Sequence, residues 1–310
     1  MTTVRHLVTE DGQIYAGAGF GAEISGTGEP FELVFNTSMV GYQEILSDPS
    51  YADQGVVFAY PLVGNYGLAP DDFESAAPAL SAAIVRNACA VPSNFRCAET
   101  LDAFLRRTGI PGLSGIDTRR LVRSIRDLGS RRAILSDGNT PVEECLARIR
   151  ETPVPRDAVS RVSPKEITVV PAEGGERFTV AAVDCGMKEN IVRSLSRLGC
   201  RVIRVPWDTP AEIIASFAPD GVLFSNGPGG ALSVHGVGVV LRGDFDLPGQ
   251  KVFHRVVAAA VSEFHLVGFR PVRQREDLMP EADAEDREPA PQSPRGVRHL
   301  RHVLRIAGAV

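Results

Sequence analysis

The apolar run from Phe178 to Asp184 is the feature of this 310-residue chain that most constrains its fold. Such a run is typical of a central parallel strand that is covered on both faces. Helical and strand patterns then alternate along the chain: helix 188–198 closed by Gly199, strand 201–205, helix 210–217 and strand 221–225. This order of elements predicts an α/β fold with a doubly wound, mostly parallel sheet.

The preceding part of the chain predicts more strands than helices. The triplet 10–12, which ends in glycine, separates two short strand patterns and predicts a hairpin turn, because glycine adopts a positive φ at little cost. Residues 31–35 and 55–60 predict two further strands, and the second ends at Pro61, which cannot donate to a central ladder. We therefore expect a β-rich α/β domain in this part of the chain.

A polar segment, residues 36–51, lies between those two strands. It carries more hydroxyl, amide and carboxyl groups than a simple connection requires. Two interpretations remain open from the residues alone. The segment is either an ordinary capped turn, for which Asp48, Pro49 and Ser50 are common residues, or a loop that becomes ordered against a ligand or partner.

Several motifs within and beyond this segment follow one another in an order that resembles a single family. They are 35–39 (FNTSM), 41–46 (GYQEIL), 48–51 (DPSY), 60–67 (YPLVGNYG), 93–96 (SNFR) and 110–121 (IPGLSGIDTRRL). Together they resemble the N-terminal domain of the small, glutamine-hydrolysing subunit of carbamoyl-phosphate synthase. The resemblance covers residues 1 to about 230, and it implies that residues 1–152 form the domain that contacts a large synthetase subunit.

Residues 117–126 predict a helix with two unlike faces. Asp117 is a good N-cap, Leu121 and Ile125 share an apolar face, and Gly129 can close the end. The opposite face is basic and carries Arg119, Arg120, Arg123 and Arg126. A basic face is commonly a solvated surface, and the resemblance adds a contact with the large subunit as the alternative.

The second half of the chain begins after a stretch rich in proline and glycine. Residues 153–177 predict a linker that few contacts cross. The motifs 184–191 (DCGMKENI) and 226–229 (NGPG) resemble the start of the class I glutamine amidotransferase domain. This resemblance assigns residues 178–230 to the first part of that domain. The expected architecture is thus a β-rich α/β domain, an incomplete doubly wound amidotransferase domain, and a tail, residues 231–310, outside the family pattern.

The turn 226–229 is the candidate substrate site. It follows the third predicted strand of the parallel sheet, at the edge where open α/β sheets bind ligands. Its glycines allow main-chain N–H groups to approach a substrate closely, an arrangement suited to an oxyanion. The resemblance carries the family's glutamine contacts to Ser50, Gly227 and Gly229.

The chain departs from the family directly after this turn. The family continues with Asp-Pro, a helix, a fourth strand, a Gly-x-Cys-x-Gly elbow that bears the nucleophile, and a later His-x-Glu pair. This chain continues with Gly-Ala-Leu-Ser-Val-His, and no cysteine follows Cys200. Because this route of glutamine hydrolysis needs an activated thiolate, no catalytic residue is assigned.

Cys185 is the alternative nucleophile, because it lies at a strand-to-helix turn and five histidines occur in the tail. A lone cysteine that ends an apolar strand is more commonly a small core residue. We therefore expect all five cysteines to be structural: Cys89, Cys97, Cys145, Cys185 and Cys200.

The tail differs in composition from the rest of the chain. From residue 231 onward it contains no Thr, Asn, Tyr, Trp or Cys. One hypothesis is an out-of-frame translation that begins near Gly230, so that the chain is a truncated family member; the other is a genuine extension. Residues 274–294 predict disorder, whereas 252–264 fit a short amphipathic helix. Without cover from the tail, Leu223 and Phe224 would lie beside an open sheet edge.

Charge and cysteine content exclude several function classes. The net charge of -5 without a basic stripe gives no reason to expect nucleic acid or an acidic membrane as partner. The chain shows no signal-peptide pattern and no apolar run of about 18 residues, so we expect a cytoplasmic protein. Five scattered cysteines without a C-x-x-C pair argue against a disulfide framework and a zinc site.

The resemblance implies a specific activity. The family hydrolyses glutamine to glutamate and passes ammonia to a large subunit, which makes carbamoyl phosphate from bicarbonate and ATP for arginine and pyrimidine synthesis. ATP and metal are expected on that subunit, so no cofactor is expected on this chain, and the two subunits form a heterodimer. The alternative is a catalytically inactive remnant that only docks on the large subunit.

Overall fold

The computed structural model describes residues 3–229 and 265–268. Within these ranges the chain divides into two compact units. The first comprises the chain up to Ser163 together with Cys185–Glu189 and residues 227–229. The second contains Pro164–Asp184, Asn190–Asn226 and residues 265–268.

A closed barrel of seven strands forms the first unit, in the order β1-β2-β8-β6-β4-β3-β9. These strands are β1 (Val4–Thr9), β2 (Ile14–Gly21), β3 (Phe31–Asn36), β4 (Gln54–Phe58), β6 (Ala82–Ile84), β8 (Pro111–Ser114) and β9 (Arg131–Asp137), with the separate pair β5 (Leu62–Val63) and β7 (Asn87–Ala88). Neighbouring strands from β3 to β8 run parallel, and the other pairs are antiparallel. The predicted hairpin is β1–β2, whose turn contains Gly12 at φ 82°.

Helices surround the barrel. They are α1 (Tyr42–Ser47), α2 (Leu101–Thr108), α3 (Thr118–Leu128), α4 (Val142–Glu151) and α5 (Ala158–Val162), with 3-10 turns at Pro49–Tyr51 and Pro70–Asp72. The predicted helix is α3: the Asp117 side chain accepts from the Arg120 N–H, Leu121 and Ile125 are buried, and Gly129 ends the helix. Its amphipathic pattern and both caps are confirmed.

One buried cation joins strands of the barrel. Arg5 on β1 is 1% exposed, and its guanidinium donates to the carbonyls of Phe20, Gly112 and Ala22. A Cβ at Gly19 would lie 2.5 Å from Arg5 Nε, so the glycine leaves room for this side chain. Because the partners belong to β2, β8 and the segment after β2, Arg5 ties these three parts of the barrel together.

The second unit contains the predicted parallel sheet. Its strand order is β10-β12-β11-β13-β14. The elements are β10 (Thr168–Val170), β11 (Phe178–Asp184), α6 (Glu189–Arg197), β12 (Cys200–Pro206), α7 (Ala211–Ser216), β13 (Gly221–Phe224) and β14 (His265–Gly268). Strand β11 pairs parallel with both β12 and β13. The α/β class and the β-α-β-α-β order are therefore confirmed.

One expectation about this unit is corrected, and one open question is answered. The expected linker, residues 153–177, contains α5 and β10, and β10 pairs antiparallel with β12. The strand pattern of β10 was not recognised because the strand has only three residues and prolines lie on both sides of it. The sheet edge beside Leu223 is paired with β14 in antiparallel register, so the tail supplies the cover that was in question. The predicted helix at 252–264 and the predicted disorder at 274–294 lie outside the described residues.

Candidate glutamine-binding site

Ser50 lies in a short, tightly held turn between α1 and β4. It is the middle residue of the 3-10 turn Pro49–Tyr51, and Asp48 caps this turn by accepting from the Ser50 N–H at 2.9 Å. Proline at the first position fixes the backbone where no N–H is needed. The Asp48 carboxylate is only 5% exposed, so this turn is capped from inside the protein.

Lys188 provides the charge partner for that buried carboxylate. Its Nζ lies 3.0 Å from Asp48 Oδ2 within the first unit. Burial lowers the pKa of the Lys188 ammonium, but attraction to Asp48, aided by Glu74 and Tyr51, outweighs burial and leaves the pKa above its usual value. Lys188 is thus protonated at neutral pH, and its ion pair with Asp48 stabilises the Ser50 turn.

Glu74 adds a second connection between the same two parts of the first unit. The Glu189 N–H donates to the Glu74 carbonyl at 2.9 Å, and the Glu74 N–H donates to Ser47 Oγ at 2.9 Å. Ser47 directly precedes the capping Asp48. The segment 185–189 is therefore tied to the Ser50 turn by an ion pair and by main-chain hydrogen bonds.

Gly227 packs directly against the backbone of that segment. A Cβ at Gly227 would lie 2.1 Å from the Cys185 carbonyl oxygen, so no larger residue fits without a backbone shift. Gly186 adopts φ 114°, and a Cβ there would lie 3.0 Å from Pro228 Cδ. Close approach of two backbone segments explains the glycines at 186 and 227.

Gly229 lies in a different environment. A Cβ there would meet no described atom within 4 Å, so packing does not explain this glycine. Pro228 and Gly229 line a small cavity of about 30 Å³, which Ala52 and Asp53 from the end of the Ser50 turn also line. The three predicted glutamine contacts, Ser50, Gly227 and Gly229, thus belong to one connected part of the first unit.

Two residues of this arrangement were not predicted as site residues, Asp48 and Lys188. A signal for Asp48 exists in the sequence, because Asp-Pro-Ser is a common pattern for a capped turn. Lys188 gave no local signal, because its partner is distant in the sequence.

The five cysteines are buried or partly buried. All five are free, and Cys145, Cys185 and Cys200 are buried. Burial raises the pKa of the Cys145 and Cys200 thiols, which keeps them protonated at neutral pH. Cys185 is 6% exposed and its carbonyl contacts Gly227, so it lies beside the candidate site although its thiol is enclosed. The tail histidines suggested as its partners have no described side chain.

The parallel sheet, the glycine turn after its third strand and the braced Ser50 turn define a class: an amidotransferase-type protein with a β-barrel domain. Family comparisons agree. Residues 7–135 match the carbamoyl-phosphate synthase small chain, CPSase domain, and residues 181–240 match glutamine amidotransferase class-I.

Relatives specify the family. A carbamoyl phosphate synthase pyrimidine-specific small chain from Halalkalibacterium halodurans is 47% identical over 259 residues, which cover 83% of this chain and 70% of the relative. The small chain from Fusobacterium nucleatum is 49% identical over 73% of this chain and 61% of its own length, and the pyrimidine-specific small chain from Bacillus subtilis is 47% identical over 73% and 60%. The chain belongs to the carbamoyl-phosphate synthase small chain family, and it spans 60 to 70% of the length of these relatives.

The extent of the matches agrees with a resemblance that covers residues 1 to about 230. The class-I match ends at residue 240, and the alignments with the Fusobacterium nucleatum and Bacillus subtilis relatives cover 225 and 226 residues.

Proposed function

We propose that this chain is the small-subunit component of a glutamine-dependent carbamoyl-phosphate synthase, which binds glutamine and docks on a large synthetase subunit. The observation that carries the proposal is the contact of three separate segments within one compact unit. These segments are the Ser50 turn, residues 185–189 and residues 227–229.

The geometry suits a small amino acid with polar ends. Gly227 and Gly229 have no side chain that would cover their main-chain N–H groups. N–H donors in such turns bind carboxylates and carbonyl oxygens. The Ser50 hydroxyl adds a donor from the opposite turn. Lys188 is already engaged by Asp48, so its proposed role is to hold the Ser50 turn in place and not to bind substrate.

Hydrolysis is a separate question from binding. Cleavage of the glutamine side-chain amide by a thiolate adds water overall and releases glutamate and ammonia. In the resembled family the nucleophile follows the glycine turn, and no cysteine follows Cys200 in these 310 residues. We therefore propose that this chain binds glutamine without hydrolysing it, which makes it a docking partner that supplies no ammonia by itself.

Hydrolysis by Cys185 is the second candidate function. The contact of its carbonyl with Gly227 favours it, since that contact puts Cys185 next to a proposed substrate-binding residue. The burial of the Cys185 thiol argues against hydrolysis by this residue.

Two measurements test these functions. Calorimetric titration of the full chain with glutamine is expected to show binding that Ser50→Ala weakens, and equal binding of glutamine by both proteins would refute the assigned site. An ammonia-release assay with the cognate large subunit is expected to show no turnover above that of Cys185→Ser. Turnover that disappears in Cys185→Ser would establish the second candidate in place of the first.

The wider setting follows from the family. Pyrimidine synthesis is the proposed pathway because two of the three relatives described above are pyrimidine-specific small chains, with arginine synthesis as the further outlet of carbamoyl phosphate. ATP and metal are proposed to bind the large subunit, with the two subunits forming a heterodimer. The cytoplasm is the proposed compartment, which five free thiols support. No helix among the described residues is long and apolar enough to cross a membrane.

A further inference from the structure

The small cavity beside Gly229 is lined by two opposite charges that are neighbours in the barrel sheet, Glu32 on β3 and Arg132 on β9. These residues are directly paired across antiparallel strands, so their side chains lie on the same face of the sheet. Opposite charges in this arrangement commonly attract each other. Here each of the two side chains is directed to a different partner.

A hydrogen bond on either side draws the two charges apart. Gln54 on β4 is paired with Glu32 in the sheet register, and its Nε2 donates to Glu32 Oε2 at 3.0 Å. On the other side, Arg132 Nη1 donates to the Ile149 carbonyl of α4. Glu32 and Arg132 are therefore both fixed in position, although neither holds the other.

One polar atom of each side chain is left without a partner. Glu32 Oε1 and Arg132 Nη2 are buried, and neither makes a hydrogen bond with the residues that the structure describes. A carboxylate oxygen accepts and a guanidinium nitrogen donates. Because buried polar atoms are costly to leave unpaired, the cavity favours a ligand that donates to Glu32 and accepts from Arg132.

The charges around the cavity favour a neutral ligand. Asp53, which also lines the cavity, forms an ion pair with Arg161, and the charges of Glu32 and Arg132 cancel. An anion would be repelled by Glu32, and a metal cation would be repelled by Arg132. Among the described residues, no group of three or more His, Cys, Asp or Glu side chains could hold a metal ion.

The size of the cavity suits a small polar group. Its volume is about 30 Å³. About 10–15 Å³ is sufficient for one water molecule, so the cavity accommodates about two groups of that size. The oxygen and the NH₂ of a carboxamide are two such groups, of which one accepts and the other donates.

The cavity is continuous with the candidate glutamine site. Gly229 lines it, and Asp53 lies just beyond the Ser50 turn. Asp53 adopts a left-handed φ of 63°, which is uncommon for a residue other than glycine, and its carbonyl accepts from the Glu32 N–H at 3.1 Å. This hydrogen bond connects the end of the Ser50 turn to the strand that carries Glu32.

We propose that Glu32 and Arg132 form the subsite for the carboxamide of glutamine, and that Glu32 selects glutamine over glutamate. Glu32 Oε1 accepts from the amide NH₂, and Arg132 Nη2 donates to the amide oxygen. The main-chain N–H groups of the glycine turn are donors, so they leave that NH₂ without an acceptor. Glutamate carries a carboxylate in the same position, which cannot donate to Glu32 and is repelled by it. This inference rests on the proposed function.

The test compares the binding of glutamine with that of norvaline, in which a methyl group replaces the carboxamide. Glu32→Gln keeps the side-chain volume. Because Gln54 donates to one end of that side chain, the new amide keeps its oxygen there and presents its NH₂ in place of Oε1. Calorimetric titration of the full chain is expected to show glutamine binding weakened about tenfold or more, with norvaline binding unchanged. A merely structural role of Glu32 would alter the binding of both ligands alike.

Glutamate provides the converse measurement. The parent is expected to bind glutamate at least about tenfold more weakly than glutamine, and Glu32→Gln is expected to reduce this preference because a donor replaces the repelling carboxylate. Glu29→Gln is the matched control, since Glu29 is exposed, pairs with Arg148 and does not line the cavity. This control is expected to bind all three ligands as the parent does.

The possible failures are distinguishable. If the parent does not bind glutamine, the proposed function is wrong and this inference falls with it. If the parent binds glutamine and glutamate equally well, the selection is refuted without any variant. If Glu32→Gln weakens glutamine and norvaline equally, or weakens neither, the cavity holds a structural water only. In these last two cases the glutamine site at Ser50 stands and the carboxamide subsite is overturned.

Discussion

Lys188 and Asp48 form an ion pair in which the carboxylate is almost fully buried and the ammonium is partly exposed, with 3.0 Å between Nζ and Oδ2. The same carboxylate caps the turn that carries Ser50. The pair therefore couples the position of a predicted substrate contact to a residue from a distant part of the sequence. Its removal leaves a buried charge without its cation, which costs more than loss of an exposed pair.

Lys188→Met tests this coupling. We expect the free energy of unfolding to fall by about 1–2 kcal/mol, because Asp48 keeps its hydrogen bond from Ser50 but loses its cation. Glutamine binding is expected to weaken as well, since the Ser50 turn is no longer braced. Urea denaturation and calorimetric titration provide the two readouts. Lys188→Arg is the matched control, and an unchanged urea midpoint in Lys188→Met would show that the pair is dispensable.

Gly227 and Gly229 form a natural pair for separating packing from substrate contact. Gly227→Ala is expected to lower the free energy of unfolding by about 1–3 kcal/mol, because its Cβ would overlap the Cys185 carbonyl. Gly229→Ala meets no described atom within 4 Å and is expected to leave stability unchanged. A loss of glutamine binding in Gly229→Ala at unchanged thermal stability would then report a substrate contact. Retained binding in that variant would remove Gly229 from the site.

The sequence was most informative where a signal is local. The caps of α3 are single residues at fixed offsets, Asp117 and Gly129, and the parallel strands are apolar runs of the right length. Both kinds of signal depend only on residues close together along the chain, so they can be recognised without knowledge of the fold. Strand β10 was missed because three residues between prolines carry too little periodicity to be distinguished from a linker.

Contacts between residues distant in the sequence could not be predicted from such local patterns. Closure of the barrel depends on β1 pairing with β9, and no turn pattern connects these two strands. The resemblance gave Ser50 and Gly227 as site residues, but the Lys188–Asp48 pair that links their surroundings is a product of the folded arrangement. Charge partners distant in sequence leave no periodic pattern that either residue alone reveals.

Arg5→Met is expected to destabilise the barrel strongly. Three carbonyls that accept from the guanidinium would lose a buried donor, so the free energy of unfolding is expected to fall by at least about 3 kcal/mol. Arg106→Met removes an exposed arginine that pairs with Glu23 and Asp102, and a much smaller effect is expected. Urea denaturation compares the two. Equal effects would mean that water replaces Arg5 at the carbonyls.

Acid is expected to weaken the first unit partly through Asp137, which lies at the end of β9. Hydrogen bonds from the Thr140 hydroxyl and from the N–H groups of Gly26, Asn139 and Thr140 lower the pKa of Asp137 to about 2, from 3.8. Because the folded pKa is below the unfolded one, the unfolded chain binds the proton more readily between these values. The contribution of Asp137 is therefore complete above pH 3.8 and is lost as the pH falls through about 2.

Asp137→Asn should accordingly be less stable than the parent at pH 6, and the difference should shrink as the pH is lowered from 4 towards 2. Urea midpoints across this range provide the measurement, with Asp208→Asn, which removes a carboxylate from the second unit, as the control. A difference between Asp137→Asn and the parent that is the same at every pH would show that the hydrogen bonds hold the protonated and ionised forms equally well. In that case acid unfolding of the barrel would have to start from another carboxylate, for which Asp11, whose pKa is also lowered despite burial through its bonds with Thr9 and Arg131, is the next to substitute.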